Sequence, residues 1–103
     1  MIEIIPALMP KSFSELEKHA EEFEVLVKTV QVDVMDGLFV KETSWPYNTE
    51  GVINPSFKEI VGQDKNLPKI NSLAYELDLM IDSPEKGIKS WTQTKASRLI
   101  FHI

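Results

Sequence analysis

Val30-Gln31-Val32-Asp33-Val34-Met35-Asp36-Gly37-Leu38-Phe39-Val40 is the stretch that decides the fold. Its valines alternate with other residues, which predicts a β-strand over 29–35 with one face in a hydrophobic core. The opposite face then carries Gln31, Asp33 and Met35. The strand ends at Asp36-Gly37, a pair typical of a turn, so we favour a turn role for Asp36 over substrate contact. The pattern therefore presents a carboxylate, Asp33, near the C-terminal end of a strand.

Strands and helices are predicted to alternate on both sides of this stretch. The other predicted elements are a strand at 2–8, a helix capped by Ser12 or Ser14, a helix from Asn54-Pro55 to about Val61, a strand at 74–81, a helix from Asp82-Ser83-Pro84 to about Thr92, and a strand at 97–103. This β-α-β-α-β-α-β order predicts an α/β fold with a parallel sheet and right-handed crossovers. The long loop between Gly37 and Gly51 carries Trp45 and Tyr47, which either cover the mouth of a site or contact a partner, or pack locally.

Length and composition narrow the class of protein. The chain has 103 residues, of which 43% are hydrophobic, and this predicts one globular domain over 1–103. The net charge is −5, with 11 basic against 16 acidic residues and no basic stripe, so we expect no nucleic-acid partner. The sequence has no cysteine and no apolar run of membrane-spanning length, and its first residues predict no secretion signal. We therefore expect a cytoplasmic protein without a membrane partner.

The stretch from Gln31 to Lys41 resembles the second strand of the ribulose-phosphate 3-epimerase family, isomerases of carbohydrate metabolism built on a (βα)8 TIM barrel. The family version reads His-Val-Asp-Val-Met-Asp-Gly-x-Phe-Val-Pro, so Gln31 stands for a histidine and Lys41 for a proline. The resemblance implies the first half of a TIM barrel, an α/β half-barrel. Three further segments resemble family strands in the same order: residues 5–9, 77–84 and 100–102.

The resemblance also implies a chemistry. In the family, two histidines and two aspartates hold a divalent metal, and the aspartates move protons at C3 of the sugar through an enediolate. Asp33 keeps its family identity and is the implied catalytic residue, while Asp78 replaces the second histidine. The strands that carry the second catalytic aspartate and the phosphate loops have no counterpart in this sequence. The implied metal ligands are Asp33, Asp78 and Gln31, and the implied substrate-binding residues are Met35, Met80 and His102.

Half a barrel is expected to associate with itself. A full barrel fills its interior with about twelve side chains, so half of one exposes about six and forgoes roughly 9–18 kcal/mol of burial. The simplest solution is a twofold homodimer in which strand four of each chain pairs with strand one of the other. Asp33 would then face its symmetry mate, and Arg98 would approach Glu3 of the partner subunit. An open, doubly wound sheet that dimerises through an edge or face is the alternative.

Three functions are compatible with these observations. The first is a ribulose-phosphate 3-epimerase-like protein that acts on a sugar phosphate when a dimer completes its site. The second is a non-catalytic homo-oligomeric half-barrel. The third is one half of a split barrel enzyme whose companion chain supplies the remaining strands.

Overall fold

A computed structural model describes residues 3–102, in which four parallel strands form one sheet in the sequential order β1-β2-β3-β4. A doubly wound sheet reverses its strand order at a switch point, whereas this order never reverses, so the doubly wound topology of the alternative is wrong. Dimerisation through an edge or face stays a prediction. The architecture is consistent with half of a TIM barrel. The elements are β1 (Ala7–Leu8), α1 (Phe13–Phe23), β2 (Thr29–Met35), α2 (Pro55–Val61), β3 (Ala74–Met80), a 3₁₀ turn (Pro84–Gly87), α3 (Ile88–Thr92) and β4 (Arg98–Phe101).

Several predicted bounds are confirmed, and one strand is much shorter than predicted. β2 and α2 lie where the sequence places them, and Ser12 rather than Ser14 caps α1 by accepting from the Glu15 backbone N–H. The sequence predicts a first strand over 2–8, but β1 contains two residues; Ile2 lies outside the described residues. Pro6 explains the short strand, because it has no N–H to donate and only its carbonyl bonds to β2.

The C-terminal elements differ from the prediction in detail. β3 ends at Met80, one residue early, and β4 occupies four residues of the predicted 97–103, of which Ile103 lies outside the described part. The last helix begins as a 3₁₀ turn because Ser83, at its N-cap position, has a φ of +50° and makes no side-chain cap. Among the described residues, no helix has the length and hydrophobicity needed to cross a bilayer.

The two faces of the sheet differ in composition. One face, called here the helix face, packs against all three helices in a single hydrophobic cluster that includes Trp91. The other, called the open face, is formed by the alternate residues of the same strands. The helix face consists of Leu8, Val30, Val32, Val34, Tyr75, Leu77, Leu79 and Leu99. The open face consists of Ala7, Gln31, Asp33, Met35, Glu76, Asp78, Met80, Arg98, Ile100 and, just beyond β4, His102.

Trp45 of the long loop packs inside the hydrophobic core of its own chain. Its side chain is 1% exposed, with ring centroids 5.6 Å from Phe13 and 6.1 Å from Phe57. Its Nε1 donates to Ser56 Oγ at 2.8 Å. Local packing is therefore the confirmed interpretation for Trp45. Tyr47 is half-buried, and burial together with the nearby Asp36 carboxylate raises the pKa of its phenol.

Candidate functional site

The strand register brings the predicted site residues to one end of the open face. Asp33 of β2 lies beside Asp78 of β3, and Met35 lies beside Met80 two residues further on. His102 follows β4 at the same edge. This edge is formed by the C-terminal ends of parallel strands, which is where barrel enzymes place their chemistry.

Four of the predicted site residues are joined by hydrogen bonds into what is called here the open-face network: Gln31, Asp33, Asp78 and His102. Gln31 Nε2 donates to Asp33 Oδ1 at 3.1 Å and to Asp78 Oδ2 at 3.4 Å. The other Asp78 oxygen, Oδ1, lies 2.5 Å from His102 Nε2. The Asp78 side chain is 16% exposed and the His102 side chain 39% exposed, so the network runs from a partly buried acid to a solvent-facing imidazole. Both acids thus have N–H partners inside the chain.

Ser44 holds the backbone beneath Asp33. Its side chain is fully buried; Oγ donates to the Asp33 carbonyl at 2.6 Å and accepts from the Met35 N–H at 2.9 Å. These bonds close the loop that leaves β2 back onto the strand. Sequence reasoning missed Ser44, because a single serine in a long loop carries no pattern that would single it out.

Asp36 organises the turn after β2, as the sequence predicted. Oδ1 accepts from the backbone N–H groups of Leu38 at 2.9 Å and Phe39 at 3.3 Å. Oδ2 accepts from the Asp82 N–H at 2.9 Å, a bond across 46 residues that the sequence does not reveal. The turn also needs Gly37, whose φ is +86° and whose added Cβ would lie 3.0 Å from a methyl group in the loop. Asp36 therefore joins the ends of β2 and β3.

The turn that Asp36 organises places an aromatic ring against the network. The Phe39 ring centroid lies 5.4 Å from that of His102, and Phe39 is 50% exposed. The sequence offered one signal for it, since Phe39 matches a phenylalanine of the motif quoted above. Phe39 and His102 together form the outer edge of the site.

The remaining predicted residues are placed as follows. Met80 is half-buried, but Met35 is only 4% exposed and offers little surface to a substrate. At the opposite end of the open face, Arg98 Nη1 lies 3.6 Å from Glu76 Oε2 of its own chain. The predicted contact between Arg98 and the partner subunit's Glu3 would therefore compete with an existing ion pair.

The donor groups of one chain do not fit a metal ion in this arrangement. Gln31 turns its amide nitrogen toward both acids, because the reverse orientation would point its oxygen at two carboxylates. A metal ligand would have to be that oxygen. Across residues 3–102, no three histidine or acidic side chains are grouped so that they could hold a metal. The predicted ligands are thus brought together, but as partners of one another.

Comparison with known proteins identifies a family. A search of curated proteins returned no match. The model of the ribulose-phosphate 3-epimerase family matches residues 3–103, which is almost the whole chain. This match agrees with the parallel sheet and with the motif on β2, and the chain therefore belongs to the ribulose-phosphate 3-epimerase family.

Proposed function

We propose that this chain forms the first half of a pentulose-phosphate epimerase and that a second copy completes its cavity. The observation that carries the proposal is the position of Asp33, at the C-terminal end of β2 within the family motif. Its Oδ1 accepts from Gln31, whereas Oδ2 has no hydrogen-bond partner among the described residues. One carboxylate oxygen is thus held in place while the other remains available for proton transfer.

The proposed reaction needs two acids on opposite sides of the sugar. The Asp33 carboxylate takes the proton from C3, which is acidified by the neighbouring C2 ketone, and leaves an enediolate. A second carboxylic acid returns one proton to C3 from the opposite face, so that no proton is gained or lost overall. In the proposed dimer this second acid is the partner subunit's Asp33, which the twofold axis places across the cavity.

The features that favour a second copy lie at the edges of the sheet. In residues 3–102, β1 and β4 each pair on one side only, and unpaired edges are templates for another strand. Phe101 on β4 is 40% exposed. The open face itself is largely polar, so its burial contributes less to association than the sequence led us to expect. Edge pairing and the cover of Phe101 are therefore the main driving forces in this proposal.

Other parts of the proposal concern the substrate and the compartment. Met80 and His102 would contact the sugar phosphate, with Phe39 beside the His102 ring and Met35 buried beside Met80 on the neighbouring strand. The cytoplasm is the proposed compartment, because a chain without cysteine suits a reducing environment.

One observation favours a second candidate function, a non-catalytic homo-oligomer. Both oxygens of Asp78 are engaged within the chain, by Gln31 and by His102. Polar groups that already form hydrogen bonds with one another gain less free energy from a bound ligand. In this case the open face would serve as the interior of an assembly.

The catalytic proposal is tested with the purified 103-residue chain, ribulose 5-phosphate and deuterated water. We expect xylulose 5-phosphate and deuterium at C3, both detected by NMR, at rates well above those of Asp33→Asn. Asp64→Asn, a change at an exposed acid, is the matched control and should behave as the unmodified chain. Product formation no greater than in Asp33→Asn would reject the epimerase and leave the non-catalytic oligomer.

The assembly is tested separately by light scattering at micromolar concentration. We expect twice the chain mass of 11.8 kDa. A well-folded single copy would overturn the completion of the site by a second copy. A second small protein that co-purifies in equal amount would instead support the split-enzyme hypothesis.

A further inference from the structure

We propose that the open-face network of Gln31, Asp33, Asp78 and His102 takes the place of a metal centre, so that this site works without a divalent cation. Enzymes of this family are generally metal-dependent. The inference concerns the site of the proposed function, but it is tested by equilibrium binding and does not depend on turnover.

The first argument is charge compensation. Asp33 and Asp78 occupy paired positions on adjacent strands and are both partly buried. Two carboxylates this close need a cation, a proton or N–H donors to offset their repulsion and their lost hydration. Gln31 supplies donors to both acids, and His102 supplies a partner to the second oxygen of Asp78. The compensation that a cation would bring is already present within the chain.

The second argument is the cost of rearranging these donors around a cation. Gln31 would have to turn its amide over, which breaks its bonds to both acids at once. The Nε2 atom of His102 would have to leave Asp78 before it could bind a metal. A cation held by all of these residues would therefore have to replace three hydrogen bonds, each of which involves a carboxylate oxygen.

The third argument is that the two residues standing at histidine positions complement each other. Gln31 and Asp78 lie 47 residues apart in sequence, yet one is a donor, the other an acceptor, and they bond directly at 3.4 Å. Two unrelated losses of metal ligands would not be expected to yield a matched donor and acceptor pair. The pair is what a site with a hydrogen-bonded centre requires.

The test compares metal binding by three forms of the chain. The unmodified chain, Asp33→Asn and the double variant Gln31→His/Asp78→His are titrated with Zn²⁺ and Co²⁺ by calorimetry, and bound metal is measured after dialysis. We expect the unmodified chain to bind no more metal than Asp33→Asn does. The double variant should bind Zn²⁺ on the order of 100-fold more tightly and give the visible absorption of ligated Co²⁺, since imidazole suits these ions.

Two results would overturn the inference. One is a metal ion held by the unmodified chain at one per chain, or one per dimer, and lost in Asp33→Asn. The other is a double variant that has the circular dichroism of the unmodified chain but gains no affinity. If the double variant does not fold, the comparison with Asp33→Asn decides the matter alone. If the chain neither turns over substrate nor binds metal, the result contradicts the proposed function but not this inference. If the chain binds metal, the result contradicts this inference but not the proposed function.

Discussion

The helix face and the open face are built from alternate residues of the same strands, yet they meet different demands. On the central strand β3, Tyr75, Leu77 and Leu79 are at most 1% exposed and pack beneath the helices. Their sequence neighbours Glu76 and Asp78 lie on the open face and are only partly buried. The difference indicates that this domain derives its stability from one side of the sheet and carries the candidate site residues on the other.

The energies expected on the two faces differ accordingly. Burial of a large apolar side chain contributes about 1.5–3 kcal/mol, and removing it also leaves a cavity. A partly exposed ion pair or hydrogen bond contributes about 0–1.5 kcal/mol. Substitutions on one strand should therefore differ sharply in effect according to the face.

The largest effect is expected for Leu77→Ala on the helix face. The side chain is 1% exposed at the centre of the sheet, so its loss should lower the free energy of unfolding by about 2–5 kcal/mol. Met80→Ala, a half-buried position on the open face of the same strand, is the control and should cost less than about 1.5 kcal/mol. Urea unfolding followed by circular dichroism measures both. Equal losses would contradict the division of roles between the faces.

Alternation within strands made most of the fold predictable. In 29–34 and 74–80 the period of two is unbroken, so the sequence places both central strands and assigns their faces. β1 could not be bounded in this way, because its length depends on its single neighbour and on the missing N–H of Pro6. The 3₁₀ start before α3 depends on the φ of Ser83, which no pattern reveals.

The candidate site could be predicted as a set of residues but not as a geometry. Parallel strands in register bring Asp33, Gln31 and Asp78 together wherever the motifs align, so their proximity followed from the sequence. The orientation of the Gln31 amide did not, because it depends on acceptors from two strands at once. The bond from the Asp82 N–H to Asp36 likewise joins segments that sequence reasoning treats separately.

Asp36→Ala tests whether the two faces share a support at the end of the strands. The side chain is 9% exposed and accepts from three backbone N–H groups, so its removal should cost about 2–3 kcal/mol. Asp64→Ala is the control, since Asp64 is exposed, and should change stability by less than about 0.5 kcal/mol. Hydrogen exchange should also show faster exchange at Phe39 and Asp82. Unchanged exchange rates at both amides would show that the Asp36 carboxylate is not needed to hold the ends of β2 and β3 together.

Gln31→Glu tests the open-face network directly. The change replaces an N–H donor between two acids by a third carboxylate, which should cost about 1–2 kcal/mol. Added Mn²⁺ should recover much of this loss, because three carboxylates suit a hard cation. The control Asn66→Asp adds the same charge at an exposed position and should be nearly neutral. Stability equal to that of the unmodified chain in the absence of metal would indicate that Gln31 does not bridge the acids.

The smallest effect is expected for Arg98→Met. Arg98 lies on the open face and also on the edge strand β4, so this variant tests both. The Arg98 side chain is 67% exposed and pairs with Glu76 at 3.6 Å. In a single chain, the substitution should therefore lower the free energy of unfolding by less than about 1 kcal/mol. Lys69→Met, which removes the ion pair between the exposed Lys69 and the partly exposed Glu24 at 3.7 Å, is the matched control. If a second copy pairs with β4, water is excluded from Arg98, so its ion pair stabilises the dimer more than the single chain. The loss of unfolding free energy in Arg98→Met should then grow at protein concentrations where dimers form, whereas the loss in Lys69→Met should not change. Unfolding curves at several protein concentrations make the comparison, and a loss that is small and equal for both variants at all of them would argue against a partner at this edge.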